Sequence, residues 1–303
     1  RGNMVVQNSD CFVAIGARLG VRQIGYSYEA FARGAFRAMV DIDDAELRKP
    51  TLRLDLPIHC DARIFIEEML RLARQTPLAP KPSWIQWCRE LDTHLPGIHD
   101  DNPAPQGAVS SYEFAERLFD RLGDGDLVVT GNGTAYTGTF QVMRLRRGVR
   151  VFTNQGCASM GYDLPAAIGA CIARDRKPVV CITGDGSIQM NIQELQTIVA
   201  LNLPIRIFVL NNCGYLAIRT TQNTYFEGRY VGSCPEGGVS CPDMLRIANA
   251  YGIPAQRVSD PGDLDAALDA TLKAEGPVIC EVMMDPNQTL YPKLSSVVRP
   301  DGA

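Results

Sequence analysis

Two short motifs in the second half of the chain carry oxygen ligands at a fixed spacing. TGDGS (183–187) sets Asp185 between Gly184 and Gly186, and LNNCGY (210–215) sets Asn211 and Asn212 just ahead of a glycine. Together they read GDGS-x23-NN. One carboxylate, one amide oxygen and a nearby backbone carbonyl make a hard, partly neutral oxygen set. Completed by two phosphate oxygens and water, it suits octahedral Mg2+ better than a soft metal. The small neighbours of Asp185 let a diphosphate approach the backbone, while Ser187 and the helix N-terminus behind it offer N–H groups to an anion. Either motif alone reads as a turn or a strand-end cap. The pair, at this spacing, reads as an ion site.

These motifs can meet only if the strands that carry them are neighbours. From residue 108 onward the pattern alternates: helix 111–122, strand 126–130, the glycine-rich turn TGNG (130–133) and a helix after it, strand 149–153, helix 164–174, strand 178–184, helix 191–201, strand 205–212, helix 243–252 and strand 277–285. Five apolar strands separated by helices predict an α/β fold, a doubly wound parallel sheet sandwiched by helices, whose ligands bind beyond the carboxyl ends of the strands. Residues 1–75 predict a smaller α/β unit: strand 11–19, helix 28–39, strand 40–43 and a helix over 65–74, with Arg1 running straight into a strand-like pattern. Residues 76–107, with prolines at 77, 80, 82, 96, 103 and 105, read as a linker containing a short helix near Trp84–Leu91. Its tryptophans, Trp84 and Trp87, are expected to pack it onto a domain. The domain division is therefore 1–75, 76–107 and 108–303.

Composition narrows the alternatives. The chain has 303 residues, 46% of them hydrophobic and 21% charged, with 34 acids against 30 bases for a net charge of −4. This is a globular balance with no positive field for nucleic acid or an anionic membrane. No apolar run approaches the ~20 residues that span a bilayer, and the opening RGNMVVQNSD lacks the apolar centre of a signal peptide. Ten cysteines include no C-x-x-C pair, so they read as free thiols of a reducing cytoplasm rather than a disulfide framework or a zinc site. The only histidines are His59, His94 and His99, which excludes a histidine triad within the last two hundred residues. Gly131, Asn132, Gly133 and Gly138 give G-x-G-x4-G, not a dinucleotide fingerprint, and no acid ends the following strand.

GDGS-x23-NN resembles the thiamine-diphosphate motif of the decarboxylase and acetolactate-synthase superfamily. NQGCASMGYDLPAAIGA (154–170) is similar to that family's segment around the pyrimidine ring, and GARLG, VDIDDAEL and HCDA (within 16–62) to the second half of its Rossmann-like central domain. The resemblance implies that Asp185 and Asn212 hold Mg2+ through side-chain oxygens and Gly214 through its carbonyl. It implies that Asn132, Gly133, Gly186 and Ser187 surround the diphosphate, with Tyr215 and Leu216 also contacting the cofactor. Met160 would be the catalytic residue that bends the cofactor, and the Ala158 carbonyl would accept from its 4′-amino group. The implied activity is decarboxylation or carboligation of a 2-oxo acid, with the thiazolium ring accepting the electrons released.

The match also departs from the family. The glutamate that exchanges a proton with the pyrimidine sits in a separate pyrimidine-binding domain with no counterpart here, and Glu194 reads as a brace for its own helix. The chain is thus expected to be a fragment, inactive alone, with the glutamate supplied by missing sequence or another chain of a homodimer or tetramer. A non-catalytic cofactor-binding or assembly subunit is the alternative. Thr221 stands where acetolactate synthases carry tryptophan. The polar stretch 220–238 reads as a lid in which Tyr225, Phe226 and Arg229 either contact substrate or close the lid by packing. Asp163 stands where the family usually has glycine and reads as a helix N-cap. Some relatives hold FAD on the central domain, but nothing in residues 1–75 speaks for it.

Overall fold

The computed structural model describes residues 1–77, 79–95 and 107–290. The chain divides into two compact units, Arg1–Pro96 and Gly97–Ala303. The first contains α1 (Gly2–Gln7), β1 (Cys11–Ile15), α2 (Val21–Ile24), β2 (Phe36–Asp41), α3 (Asp44–Arg48), β3 (Leu56–His59), α4 (Ala62–Gln75) and α5 (Pro82–His94). Its strands form a parallel sheet in the order β1-β2-β3, with Ala14, Leu19, Phe31, Met39 and Leu52 in the core.

Several expectations for this unit are corrected. The predicted helix 28–39 is instead one 3-10 turn, Tyr28–Ala30, followed by β2. Its apolar spacing imitated a helix, but Ala32 turns through φ +45° and Ala38, Met39 and Val40 are buried in the central strand of the sheet. The strand expected over 40–43 is only the end of β2. That expected over 11–19 stops at Ile15, because Gly16, Arg18 and Leu19 all take positive φ. The start of the chain is helical rather than strand-like, and β3 went unpredicted. In the proline-rich stretch 76–107, Leu78 and residues 96–106 lie outside the described residues. The rest includes α5, longer than expected, in which Trp84 and Trp87 stack on each other with centroids 5.0 Å apart.

The second unit contains α6 (Ser111–Arg121), β4 (Leu127–Thr130), α7 (Thr134–Val142), β5 (Arg150–Thr153), α8 (Asp163–Ala173), β6 (Val179–Gly184), α9 (Glu194–Ala200), β7 (Ile205–Asn211), α10 (Leu216–Tyr225), α11 (Met244–Tyr251), β8 (Ala255–Val258), α12 (Leu264–Lys273) and β9 (Val278–Met283). All pairings are parallel, in the order β5-β4-β6-β7-β9-β8. Alternate residues serve opposite faces. Val180, Ile182, Phe208 and Leu210 pack against Phe114, Leu118 and Leu268, whereas Cys181, Ile207 and Val209 pack against Leu164, Leu195 and Ile198. Both faces of the central strands are therefore dry, which is why they read as unbroken apolar runs.

The sheet has six strands rather than five, because β8 (AQRV) is a short, largely exposed edge strand with no apolar alternation. Helix α12 was also unpredicted, although Leu264, Ala267, Leu268 and Thr271 bury one stripe. No helix among the described residues is long and apolar enough to cross a membrane. The strand order matters for ligands. The chain leaves β4 toward β5 and returns to place β6 on the other side of β4, which makes the β4/β6 boundary the topological switch point where a crevice opens.

Candidate functional site

Three strand ends meet beside that boundary: Thr130–Gly133 after β4, Gly184–Ser187 after β6 and Asn211–Gly214 after β7. Asp185 is buried, and its Oδ2 accepts from the Gly214 N–H at 2.8 Å. Its Oδ1 is buried without a hydrogen-bond partner, and so is Oδ1 of Asn212. Buried oxygens left without donors are costly. Here two lie on the acid and amide of consecutive strand ends. Burial pushes the Asp185 carboxyl up, against the pull of the backbone N–H groups of Gly214 and Gly186. The Cys241 thiol also faces this carboxylate, and burial with the nearby charge pushes it up to about 12.

The two asparagines do different work. Asn211 donates to Glu281 Oε1 at 2.7 Å and accepts from the Cys213 N–H at 3.0 Å, so it is consumed by the fold. Asn212 donates its amide to Thr134 Oγ1 at 3.2 Å, which leaves its oxygen free to face a ligand. No described residue donates to the Gly214 carbonyl. Among the described residues no group of three or more His, Cys, Asp or Glu side chains could hold a metal. An ion held here would therefore add amide and backbone oxygens to the single Asp185 carboxylate, the donor set of a hard cation.

Glycine is required at several of these positions. Gly214 sits at φ +120°, where a Cβ would lie 2.6 Å from the Ser233 carbonyl oxygen. Gly214→Ala is expected to lower stability by at least about 2 kcal/mol, read from urea unfolding; a midpoint equal to the wild type's would contradict this geometry. A Cβ at Gly186 would meet the Tyr215 ring at 2.4 Å, whereas Gly133, at φ +57° as the N-cap of α7, has open space above it.

Ser187 Oγ accepts from the Gly161 N–H at 3.0 Å and lies 3.5 Å from Asp163 Oδ2. Asn132 donates to the Ala158 carbonyl at 3.1 Å, so two residues assigned to opposite ends of the cofactor are bonded to each other. Met160, Tyr215 and Leu216 are half-buried. Asp163 is not the N-cap it was expected to be. Tyr162 holds that position, and Asp163 is the first helical residue, fully buried, with Oδ1 accepting from the Leu164 N–H at 3.0 Å. Glu194 accepts from Thr197 Oγ1 at 2.9 Å within its own helix. The stretch read as a polar lid opens with helix α10, and Tyr225 and Phe226 at its end are exposed.

Residues 123–282 match the family described as thiamine pyrophosphate enzyme, C-terminal TPP binding domain. The chain belongs to the thiamine pyrophosphate enzymes. It is 32% identical over 290 residues to the acetolactate synthase isozyme 2 large subunit of Escherichia coli, covering 96% of this chain and 50% of that protein. It is 31% identical to chloroplastic acetolactate synthase 1 of Nicotiana tabacum, covering 97% and 44%, and 33% identical to the isozyme 3 large subunit of E. coli, covering 96% and 50%. The chain thus spans about half the length of the curated relatives it matches.

Among thiamine pyrophosphate enzymes this chain carries one site residue that its sequence did not reveal. Arg219, in the first turn of α10, is 4% exposed and donates to backbone carbonyls behind the Asn212–Gly214 loop. The available signal was its place seven residues after Asn212, but the helix that gives this spacing meaning was not foreseen.

Proposed function

We propose that this chain provides the diphosphate- and metal-binding half of a thiamine-diphosphate- and Mg2+-dependent decarboxylase or carboligase acting on a 2-oxo acid. The observation that carries the proposal is the pair of buried, partnerless oxygens, Asp185 Oδ1 and Asn212 Oδ1, on consecutive strand ends. With the Gly214 carbonyl they would hold Mg2+, while Gly133, Gly186 and Ser187 would border the diphosphate. Bound there, thiamine diphosphate supplies an electron sink for breaking or forming the bond beside a 2-oxo acid's carbonyl.

The chain's own contribution is orientation in a poorly hydrated crevice. Thr134 fixes the Asn212 amide, Asp185 grips the turn at Gly214, and Ser187 ties the 161 turn to the 187 turn. We assign Met160 and the Ala158 carbonyl to the cofactor's pyrimidine side, and Asn132, Tyr215 and Leu216 to its surroundings. With Glu194 engaged in its own helix, the proton-exchanging glutamate is proposed to come from a pyrimidine-binding domain elsewhere in the protein or on a second chain of a dimer or tetramer. Boundaries at 1–75, 76–107 and 108–303 belong to the same reading. All ten cysteines are free, which supports a cytoplasmic setting.

Calorimetric titration with thiamine diphosphate tests this. Binding is expected with Mg2+ present and at least tenfold weaker once the metal is chelated. Equal affinity with and without metal would refute the proposal. Carbon dioxide release from 2-oxo acids by the assembled enzyme then separates a catalyst from a cofactor-binding subunit.

A further inference from the structure

The loop that carries the proposed metal ligands does not hold its own shape. Cys213 and Gly214 sit at φ +61° and +120°, backbone states that persist only where surrounding contacts impose them. The N–H groups are held from one side: that of Cys213 by Asn211, that of Gly214 by Asp185, and that of Tyr215 by the Ser233 carbonyl. The carbonyls are held from the other side by one guanidinium. Arg219 Nη2 donates to Asn212 O and Pro286 O, both at 2.6 Å. Its Nη1 donates to Cys213 O at 3.0 Å and Ser233 O at 3.3 Å. Its Nε is buried without a partner, and no described carboxylate forms an ion pair with it. A buried cation whose direct partners are carbonyl dipoles, with the Glu236 charge acting on it without an ion pair, is an expensive arrangement. Its planar fork, however, fixes several carbonyl directions at once, which a point charge cannot do.

We propose that Arg219 is a positioning residue that sets the angles of the Asn212–Gly214 oxygens and thereby the site's preference for Mg2+ over larger divalent cations. The inference rests on the proposed metal site. With the 212 and 213 carbonyls turned toward Arg219, the Asn212 side-chain oxygen and the Gly214 carbonyl are the loop oxygens left for an ion. Mg2+ demands near-ideal octahedral geometry at about 2.0–2.1 Å, whereas Ca2+ accepts irregular geometry at about 2.3–2.6 Å. Loosening the loop therefore penalises Mg2+ more than Ca2+. A role confined to general stability would weaken both alike.

The test titrates MgCl2 and CaCl2 into the full chain at saturating thiamine diphosphate, by calorimetry, for wild type, Arg219→Lys and Arg219→Met, with metal-free melting curves for each. Arg219→Lys keeps the charge but not the fork, and it carries the test should Arg219→Met fail to fold. The expected result is Mg2+ affinity weakened at least tenfold and Ca2+ affinity less than threefold, with Arg219→Met no better than Arg219→Lys. Equal losses for the two ions, or unchanged Mg2+ affinity in a folded variant, would overturn the inference while leaving the proposed function standing. Absence of metal-dependent binding in the wild type would overturn both.

Discussion

Asp185→Asn is expected to abolish the Mg2+-dependent binding of thiamine diphosphate, by at least a hundredfold, without lowering the melting temperature of the metal-free protein. The two halves of this outcome have one cause. In the metal-free protein the buried carboxylate has one oxygen held by the Gly214 N–H and the other by nothing, and burial raises its folded pKa. A carboxyl with a raised folded pKa contributes stability when protonated, and that contribution is lost as pH rises through the folded value. At pH 7.5 the ionised form is therefore a liability, which the neutral amide removes. The same amide has no negative charge for a cation. A ligand at a hundred times its Kd stabilises by about 2.7 kcal/mol, roughly 5–10 °C for a unit of this size. Wild type should show that rise on adding Mg2+ and thiamine diphosphate together, and Asp185→Asn should show none. An equal rise in both proteins would mean that the acid is not a ligand.

How much of this could be read from the sequence depended on whether a residue's partner lay nearby in the chain. Asp185 and Asn212 were legible because each follows directly on a mostly apolar, largely buried strand, and strands buried on both faces announce themselves. Arg219 was not, because helix α10 disguises itself. Its N-cap, Tyr215, makes no side-chain cap, and Thr220, Thr221 and Thr224 give it the look of a polar loop. In the structure those hydroxyls bond back to the carbonyls of Leu216, Ala217 and Thr220, each four residues earlier, so they satisfy themselves inside the helix. Strand β2 failed for the opposite reason. Its apolar residues happened to fall at helical spacing, and pairing to a strand on each side overrode the local pattern. The separate roles of Asn211 and Asn212 were also beyond the sequence. Which amide is consumed depends on Glu281, 70 residues away on the neighbouring strand.

Asp163→Asn should separate stability from pH. The Asp163 carboxylate is fully buried at the start of α8, below the turn at Gly131, where a Cβ would lie 2.3 Å from its Oδ2. Burial raises its pKa from 3.8 to about 6, opposed by hydrogen bonds from the Thr183 hydroxyl, the Leu164 N–H and Ser187. The Cys181 thiol, also buried beneath it, is pushed up by burial and by this carboxylate, so it stays neutral and adds no second negative charge. Because the folded value exceeds the unfolded one, the contribution to stability is full below about pH 4 and is lost as pH rises through about 6. A rise of this size is worth about 3 kcal/mol, and a group this deeply buried is little screened. Asparagine keeps the shape and cannot ionise, and the neighbouring hydroxyls can turn to accept from its amide. Urea unfolding of both proteins between pH 4.5 and 8 should show the difference in favour of Asp163→Asn growing by about 2 kcal/mol, most steeply around pH 5, midway between the unfolded and folded values, and levelling off above the folded value of about 6. Parallel curves would mean that Asp163 ionises as freely in the folded chain as in the unfolded one. That outcome would also remove the reason to see the turns at Gly131, Gly161 and Ser187 as packed around a buried charge.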